Sequence, residues 1–132
     1  MNHSKINGYA ALERGGQLTP YSYDPPELKE NEVRIAITHC GLCATDIQAI
    51  DDFYDITDYP FVPGHEIVGT IVETGKSVPP SRLGERVGVG WQGRTCGHCE
   101  WCRQGAEPCC PQQQATKSRN PKRPIRAPWS SF

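Results

Sequence analysis

Cys96, Cys99 and Cys102 are separated by two residues each, with Cys109 and Cys110 shortly downstream, so the loop must fold back on itself if these sulfurs are to share a ligand. Four thiolates saturate a tetrahedral zinc ion and leave no open position, which is the donor set of a structural site. Either Cys109 or Cys110 can complete it. A disulfide framework fits less well, because the chain has seven cysteines and its first residues, 1–9, lack an apolar signal-peptide core. An iron–sulfur cluster of the bacterial ferredoxin kind places its fourth cysteine after three residues, a spacing not found here. Cysteines serving only as small buried hydrophobes do not suit a stretch this rich in Gly, His and Glu.

A length of 132 residues supports one domain. With 13 Gly, 12 Pro and 36% apolar residues, that domain should consist of turns and short strands rather than long helices. No run of eighteen apolar residues occurs, so no membrane span is expected, and a cytoplasmic setting is. Charge divides the chain. Residues 112–132 hold Lys117, Arg119, Lys122, Arg123 and Arg126 and no acid, whereas residues 1–111 carry an excess of six negative charges. A basic, Pro-containing tail with almost no aliphatic residues reads as disordered, and without interleaved aromatics it gives no reason to expect nucleic acid as a partner. The expected organisation is a folded domain over residues 1–111 and a tail over 112–132.

Along the chain, residues 15–26 read as a turn-rich passage. Val33, Ile35 and Ile37 then alternate with smaller or polar neighbours at the two-residue period of a half-buried strand. Cys40-Gly41-Leu42-Cys43 should break this strand, and residues 44–50 should form a short helix beginning near Cys43. Residues 51–59 read as an exposed acidic and aromatic loop. Pro63-Gly64 marks a turn, Ile67 to Val72 a buried strand, and Glu85 to Val89 another.

Cys43, Asp46, His65 and Glu66 form a second constellation. A catalytic zinc takes three protein ligands from Cys, His and carboxylate and keeps a position open, and Cys43 with His65 supplies two. Glu66 is a candidate third ligand, and Asp46 could fix the His65 tautomer by hydrogen bonding. Taken without further context, a lone Cys beside an Asp and a lone His-Glu pair are more often structural.

Four motifs in order carry a resemblance: Gly41-Leu42-Cys43-Ala44-Thr45-Asp46, Pro63-Gly64-His65-Glu66-Ile67-Val68-Gly69, Gly84-Glu85-Arg86-Val87-Gly88, and the cysteine loop. Over residues 7–111 they resemble the amino-terminal half of zinc-dependent medium-chain alcohol dehydrogenases, with a likeness to the cinnamyl-alcohol-dehydrogenase branch. The resemblance implies a mainly β fold, a GroES-like, partly open β-barrel with short helices and a zinc-binding loop. It implies Cys96, Cys99, Cys102 and Cys110 as structural zinc ligands. It further implies Cys43 and His65 as ligands of a catalytic zinc with Glu66 as an acidic neighbour able to approach the metal, Thr45 as the hydroxyl relaying the alcohol proton, and Asp46 as the partner of His65. His39, Cys40, Trp91 and Trp101 are left as packing residues, and His98 as a spacer.

The implied reaction is reversible oxidation of a small alcohol to an aldehyde or ketone by hydride transfer to NAD or NADP. Members of that family are more than twice as long, and no residue here is assigned to the nicotinamide cofactor. A truncated domain, inactive alone, is therefore expected, either a remnant of a longer gene or a non-catalytic zinc-binding module. An incomplete barrel should also leave an unpaired edge through which the chain self-associates.

Overall fold

The computed structural model describes residues 5–55 and 57–116. The expected basic tail therefore falls outside the described residues from position 117 onward. The described residues divide into two compact units, one of residues 5–27 and 41–65, the other of residues 28–40 and 66–116.

In the first unit, β1 (Ile6–Ala11) and β2 (Leu18–Tyr23) form an antiparallel hairpin in which Ile6 faces Tyr23 and Ala11 faces Leu18. The expected turn-rich passage thus contains a strand. Thr19, Tyr21 and Tyr23 are strong strand formers once a partner exists, and Pro20, opposite Tyr9, is tolerated because a two-stranded hairpin has outer edges that need no N–H donor. Ala11 and Phe61 exchange backbone hydrogen bonds of 2.9 and 2.8 Å, which ties the hairpin to the segment leading into His65. Ala10, Ala11, Ala49 and Phe61 are the buried apolar residues of this unit. The helix α1 (Ala44–Ile50) forms where expected, with Cys43 as its N-cap, and the loop after it exposes Phe53 and Tyr54 as expected.

In the second unit, β3 (Val33–Gly41), β4 (Glu66–Thr74) and β5 (Arg86–Val89) make a sheet in that order. β4 and β5 run antiparallel, with Ile67 opposite Val89 and Thr70 opposite Arg86. Val33, Ile71 and Val78 form the core, flanked by Ile35 and Val87. The alternation read from the sequence correctly buries Val33, but Ile37 is 51% exposed, so the apolar face of β3 loses its cover toward the far end. The strand also runs on to Gly41 rather than breaking at Cys40, with Thr38 donating to the Val68 carbonyl at 3.1 Å. His39 and Cys40, expected to pack, are exposed on this far end.

Two short strands, β6 (Gln92–Arg94) and β7 (Gln114–Ala115), pair antiparallel and enclose α2 (Glu100–Arg103) and a 3-10 turn at Glu107–Cys109. Thr116 is buried; its N–H donates to the Trp91 carbonyl at 2.7 Å and its hydroxyl to the Gly90 carbonyl. Residues 112–116 therefore pack with the cysteine loop. Trp91 and Trp101 are 39% and 44% exposed, so thiols and backbone hold the loop rather than the indole packing anticipated for it. Among the described residues the architecture is mainly β with few helices, in three separate sheets that do not close.

Candidate metal centres

The sulfurs of Cys96, Cys99, Cys102 and Cys110 all lie within 4.8 Å of one another. Cys96 and Cys102 are 3.9 Å apart and Cys99 and Cys102 3.5 Å, bracketing the roughly 3.8 Å between sulfurs on a tetrahedral zinc with bonds near 2.3 Å. Backbone N–H groups converge as well: Cys99 N–H donates to the Cys96 sulfur at 3.2 Å and Cys96 N–H to the Cys110 sulfur at 3.5 Å. Cys110 is 2% exposed, whereas Cys109 is exposed and outside the cluster. Cys109 is the last residue of the 3-10 turn at Glu107–Cys109, and Cys110 is its extended C-cap.

Crowding four thiols changes their acidity unequally. Cys96 is lowered to about 6, chiefly by a backbone hydrogen bond from His98, with the backbone and side chain of Cys99 and the Cys110 thiol adding to the effect against a smaller cost of burial. At Cys99 the backbone N–H of Cys102 pulls the value down, but burial and the Cys102, Cys96 and Cys110 thiols outweigh it and push it up to about 11. One thiolate thus makes the next harder to form, and a bound divalent cation relieves that repulsion.

The second cluster lies entirely in the first unit. Cys43 Sγ is 3.3 Å from His65 Nε2, and His65 Nδ1 donates to Asp46 Oδ1 at 3.1 Å. Since an ionised carboxylate only accepts, the proton sits on Nδ1 and the Nε2 lone pair faces the sulfur. A tetrahedral zinc bound by S and N would hold those atoms about 3.6 Å apart, close to the observed separation. Asp46 is fixed from three directions: besides His65, its Oδ1 accepts the Gly64 N–H at 2.9 Å and its Oδ2 the Cys43 N–H at 3.0 Å. Gly64 has φ of 100°, a conformation that suits glycine and that turns its N–H to the carboxylate.

The sequence-predicted residues therefore fall into different places. Cys43, Asp46 and His65 are brought together within 4.8 Å. Thr45 is half-buried in the first turn of α1. Glu66 is exposed at the start of β4, in the other unit, and is not part of this group. The Gly64 N–H is a functional contact that the motif reading treated only as a turn. Gly88-Val89-Gly90-Trp91-Gln92-Gly93 has the spacing of a dinucleotide fingerprint, but it leads from β5 into β6 instead of from a strand into a helix, so it lacks the phosphate-binding context.

Residues 29–120 match the alcohol dehydrogenase GroES-like domain family. Among curated proteins, the chain is 41% identical over 111 residues to an aldehyde reductase, AdhA, of Synechocystis sp., covering 84% of this chain and 33% of that protein. It is 39% identical over 109 residues to cinnamyl alcohol dehydrogenase 8 of Arabidopsis thaliana, covering 83% and 30%. Among solved structures, a cinnamyl alcohol dehydrogenase of Sorghum bicolor superimposes with a TM-score of 0.78 at 35% identity, covering 88% of this chain and 33% of that one. A Helicobacter pylori homologue of the same name, complexed with NADP(H), gives 0.77 at 30% identity, covering 86% and 33%. The chain spans about a third of the length of the curated relatives it matches.

Proposed function

Because the chain belongs to the alcohol dehydrogenase GroES-like domain family of the zinc-dependent medium-chain dehydrogenases, we propose that it supplies the zinc-holding part of an alcohol–aldehyde oxidoreductase. The observation that carries this reading is the 3.3 Å approach of Cys43 Sγ to His65 Nε2, with the far side of the ring held by Asp46. Cys43 and His65 hold the catalytic zinc, and Asp46 keeps His65 in the tautomer that presents Nε2. Glu66 is the acidic neighbour assigned to approach the metal. Thr45, two residues beyond Cys43 and immediately before Asp46 in the first turn of α1, accepts and passes on the alcohol proton. Zinc, when bound, supplies Lewis acidity that lowers the pKa of an alcohol. Cys96, Cys99, Cys102 and Cys110 hold a second, structural zinc.

The reaction proposed is reversible oxidation of a small alcohol to an aldehyde or ketone, with NAD or NADP taking the hydride; the Helicobacter pylori relative is complexed with NADP(H). On this reading turnover needs a nicotinamide-binding segment besides these residues, and the 132 residues taken alone are expected to be inactive. Cysteines that serve as metal ligands suit a reducing compartment such as the cytoplasm. No helix among the described residues is long and apolar enough to cross a membrane.

Zinc content decides the assignment. Two zinc ions per chain are expected, falling to one in Cys43→Ala; a single zinc unaffected by that substitution leaves only a structural module. Alcohol-dependent NAD or NADP reduction by the purified chain would overturn the claim of inactivity.

A second reading concerns assembly. Among the described residues β3 and β5 are the outer strands of an open sheet that also exposes Ile37 and Val72, and these features favour self-association through a sheet edge. Size-exclusion chromatography with light scattering is expected to show species larger than a monomer, and a monomer at every concentration counts against it.

A further inference from the structure

The helix α1 is only seven residues long, about 10 Å, and a helix of that length does not hold its shape unaided. Its two ends are fastened by different parts of the chain. At the start, Cys43 and Asp46 are joined by the 3.0 Å hydrogen bond from the Cys43 N–H. At the other end, the carbonyls of Ile47, Gln48 and Ala49 accept from Asp51, Phe53 and Asp52 in the ordinary manner of a helix terminus. The Ile50 and Asp51 carbonyls take donors distant in sequence, and the Asp52 carbonyl, which accepts the Asp55 N–H at 3.1 Å, takes a distant donor as well.

Arg14, in the turn between β1 and β2, donates from Nε to the Asp51 carbonyl at 2.9 Å and from Nη2 to the Asp52 carbonyl at 3.4 Å. The adjacent Gly15 N–H donates to the Ile50 carbonyl at 2.9 Å, and the Tyr59 hydroxyl reaches the same oxygen at 2.5 Å. Gly15 has φ of 65°, and the turn depends on that left-handed conformation to offer its N–H. The last turn of α1 has no basic residue of its own, so the Arg14 guanidinium brings from another segment the positive charge that a helix C-terminus favours. The planar fork reaches two successive carbonyls at once, which an ammonium group matches poorly.

We propose that Arg14 is a positioning residue for the Cys43–His65 metal grip, acting along α1 from the end opposite the site. Asp46 is the third residue of that short helix and holds Cys43, Gly64 and His65 together through one carboxylate. Loosening the C-terminal anchor lets α1 shift or fray, and every shift of Asp46 is felt by both metal-facing atoms. The metal side of this inference rests on the reading of Cys43 and His65 given above. The effect on Asp46 does not.

The test uses the full chain and its Arg14→Ala, Arg14→Gln, Arg14→Lys and Cys43→Ala variants, with two readouts. Titration with Co(II) isolates the Cys43 site as the spectral component lost in Cys43→Ala. Arg14→Ala is expected to weaken that component about ten-fold, the lower end for residues that support metal ligands, with Arg14→Gln and Arg14→Lys falling between it and the unsubstituted chain and the four-cysteine component unchanged. Hydrogen exchange on the metal-free chain follows the Cys43 and Gly64 amides, both of which donate to Asp46. Their protection should fall in Arg14→Ala and recover in part in Arg14→Lys. If the unsubstituted chain shows no Cys43-dependent cobalt component, the functional reading fails while the exchange experiment still decides this one. Unchanged protection at both amides overturns the proposal, as does a uniform loss of protection and of both cobalt components, which marks general destabilisation. Should Arg14→Ala fail to fold, the Gln and Lys variants carry the same comparison, and wild-type behaviour in both overturns it.

Discussion

Asp46 and His65, nineteen positions apart, meet through a 3.1 Å hydrogen bond between two buried side chains. The same carboxylate accepts the backbone N–H groups of Cys43 and Gly64. Asp46→Ala therefore strands three donors, the His65 ring N–H in a buried setting and the two backbone N–H groups in partly buried ones. It is expected to cost about 1 to 3 kcal/mol of folding stability, the penalty for the one fully buried donor left without a partner. Urea denaturation of the metal-free chain measures this, and a loss below about 1 kcal/mol contradicts the arrangement. Asp46→Asn keeps the shape but weakens the hold on His65, and should reduce metal affinity at the Cys43 site about 10- to 100-fold.

Cys109 and Cys110 are adjacent, yet only Cys110 turns into the thiol cluster. Cys110→Ser is expected to remove the structural zinc, and Cys109→Ser to leave zinc content and thermal stability within error of the unsubstituted chain. Metal analysis with thermal melts of both variants separates them. Equal losses would mean that either cysteine can serve.

Acidity sets the pH profile of the four-cysteine site. With Cys96 near 6 and Cys99 near 11, the cluster at pH 7 is largely ionised at the first position and protonated at the second. Zinc must then displace at least the Cys99 proton, so binding at pH 7 releases protons and affinity rises with pH. Below about 6 the Cys96 proton also has to leave, and affinity should fall more steeply. Chelator competition from pH 5 to 9, with calorimetry in buffers of different ionisation heat, checks this; a pH-independent affinity contradicts it.

Glu32 is buried at the start of β3, accepting the Lys29 N–H at 3.1 Å, and burial raises its pKa despite the opposing charge of Arg94. A raised carboxyl pKa means that the folded state keeps a proton the unfolded state has already released. Its contribution to stability is present below the unfolded value, near 4.5, and is lost as pH rises through the folded value. Glu32→Gln should therefore flatten the pH dependence of stability above pH 4.5, as read from urea midpoints at pH 5 and 7. An identical pH dependence in both proteins would show that Glu32 titrates alike in the two states.

The strands were legible from their apolar patterns: the two-residue alternation of residues 32–38, the apolar run of 67–72 and the short stretch 85–89 have their apolar positions in β3, β4 and β5. The helix after Cys43 was legible from its short Ala- and Ile-containing run. β2 was not, because Pro20 and its polar neighbours signal a turn until β1 supplies a partner. The approach of Cys43 to His65 could be anticipated only through the family motifs, since each residue alone is unremarkable and the contact spans 22 positions. Arg14 gave no local signal, because its role depends on a helix end 37 residues away. Exposure of Ile37 was equally invisible, as alternation reports which face a side chain takes and not whether anything covers that face.

The backbone clasp between Trp91 and Thr116 fastens the cysteine loop at its base, outside all four thiols. Drawing the ends of a segment of that length together costs about 3 kcal/mol in its length-dependent part alone. Here folding, not metal binding, meets that cost, so the ion has only to close the short spans between sulfurs that are already neighbours. Metal release should accordingly leave a tethered, reloadable loop rather than an open strand of chain. A peptide ending at Cys110 would keep every ligand and still bind zinc less tightly, because it lacks Thr116, whose N–H and hydroxyl tie the loop at its base.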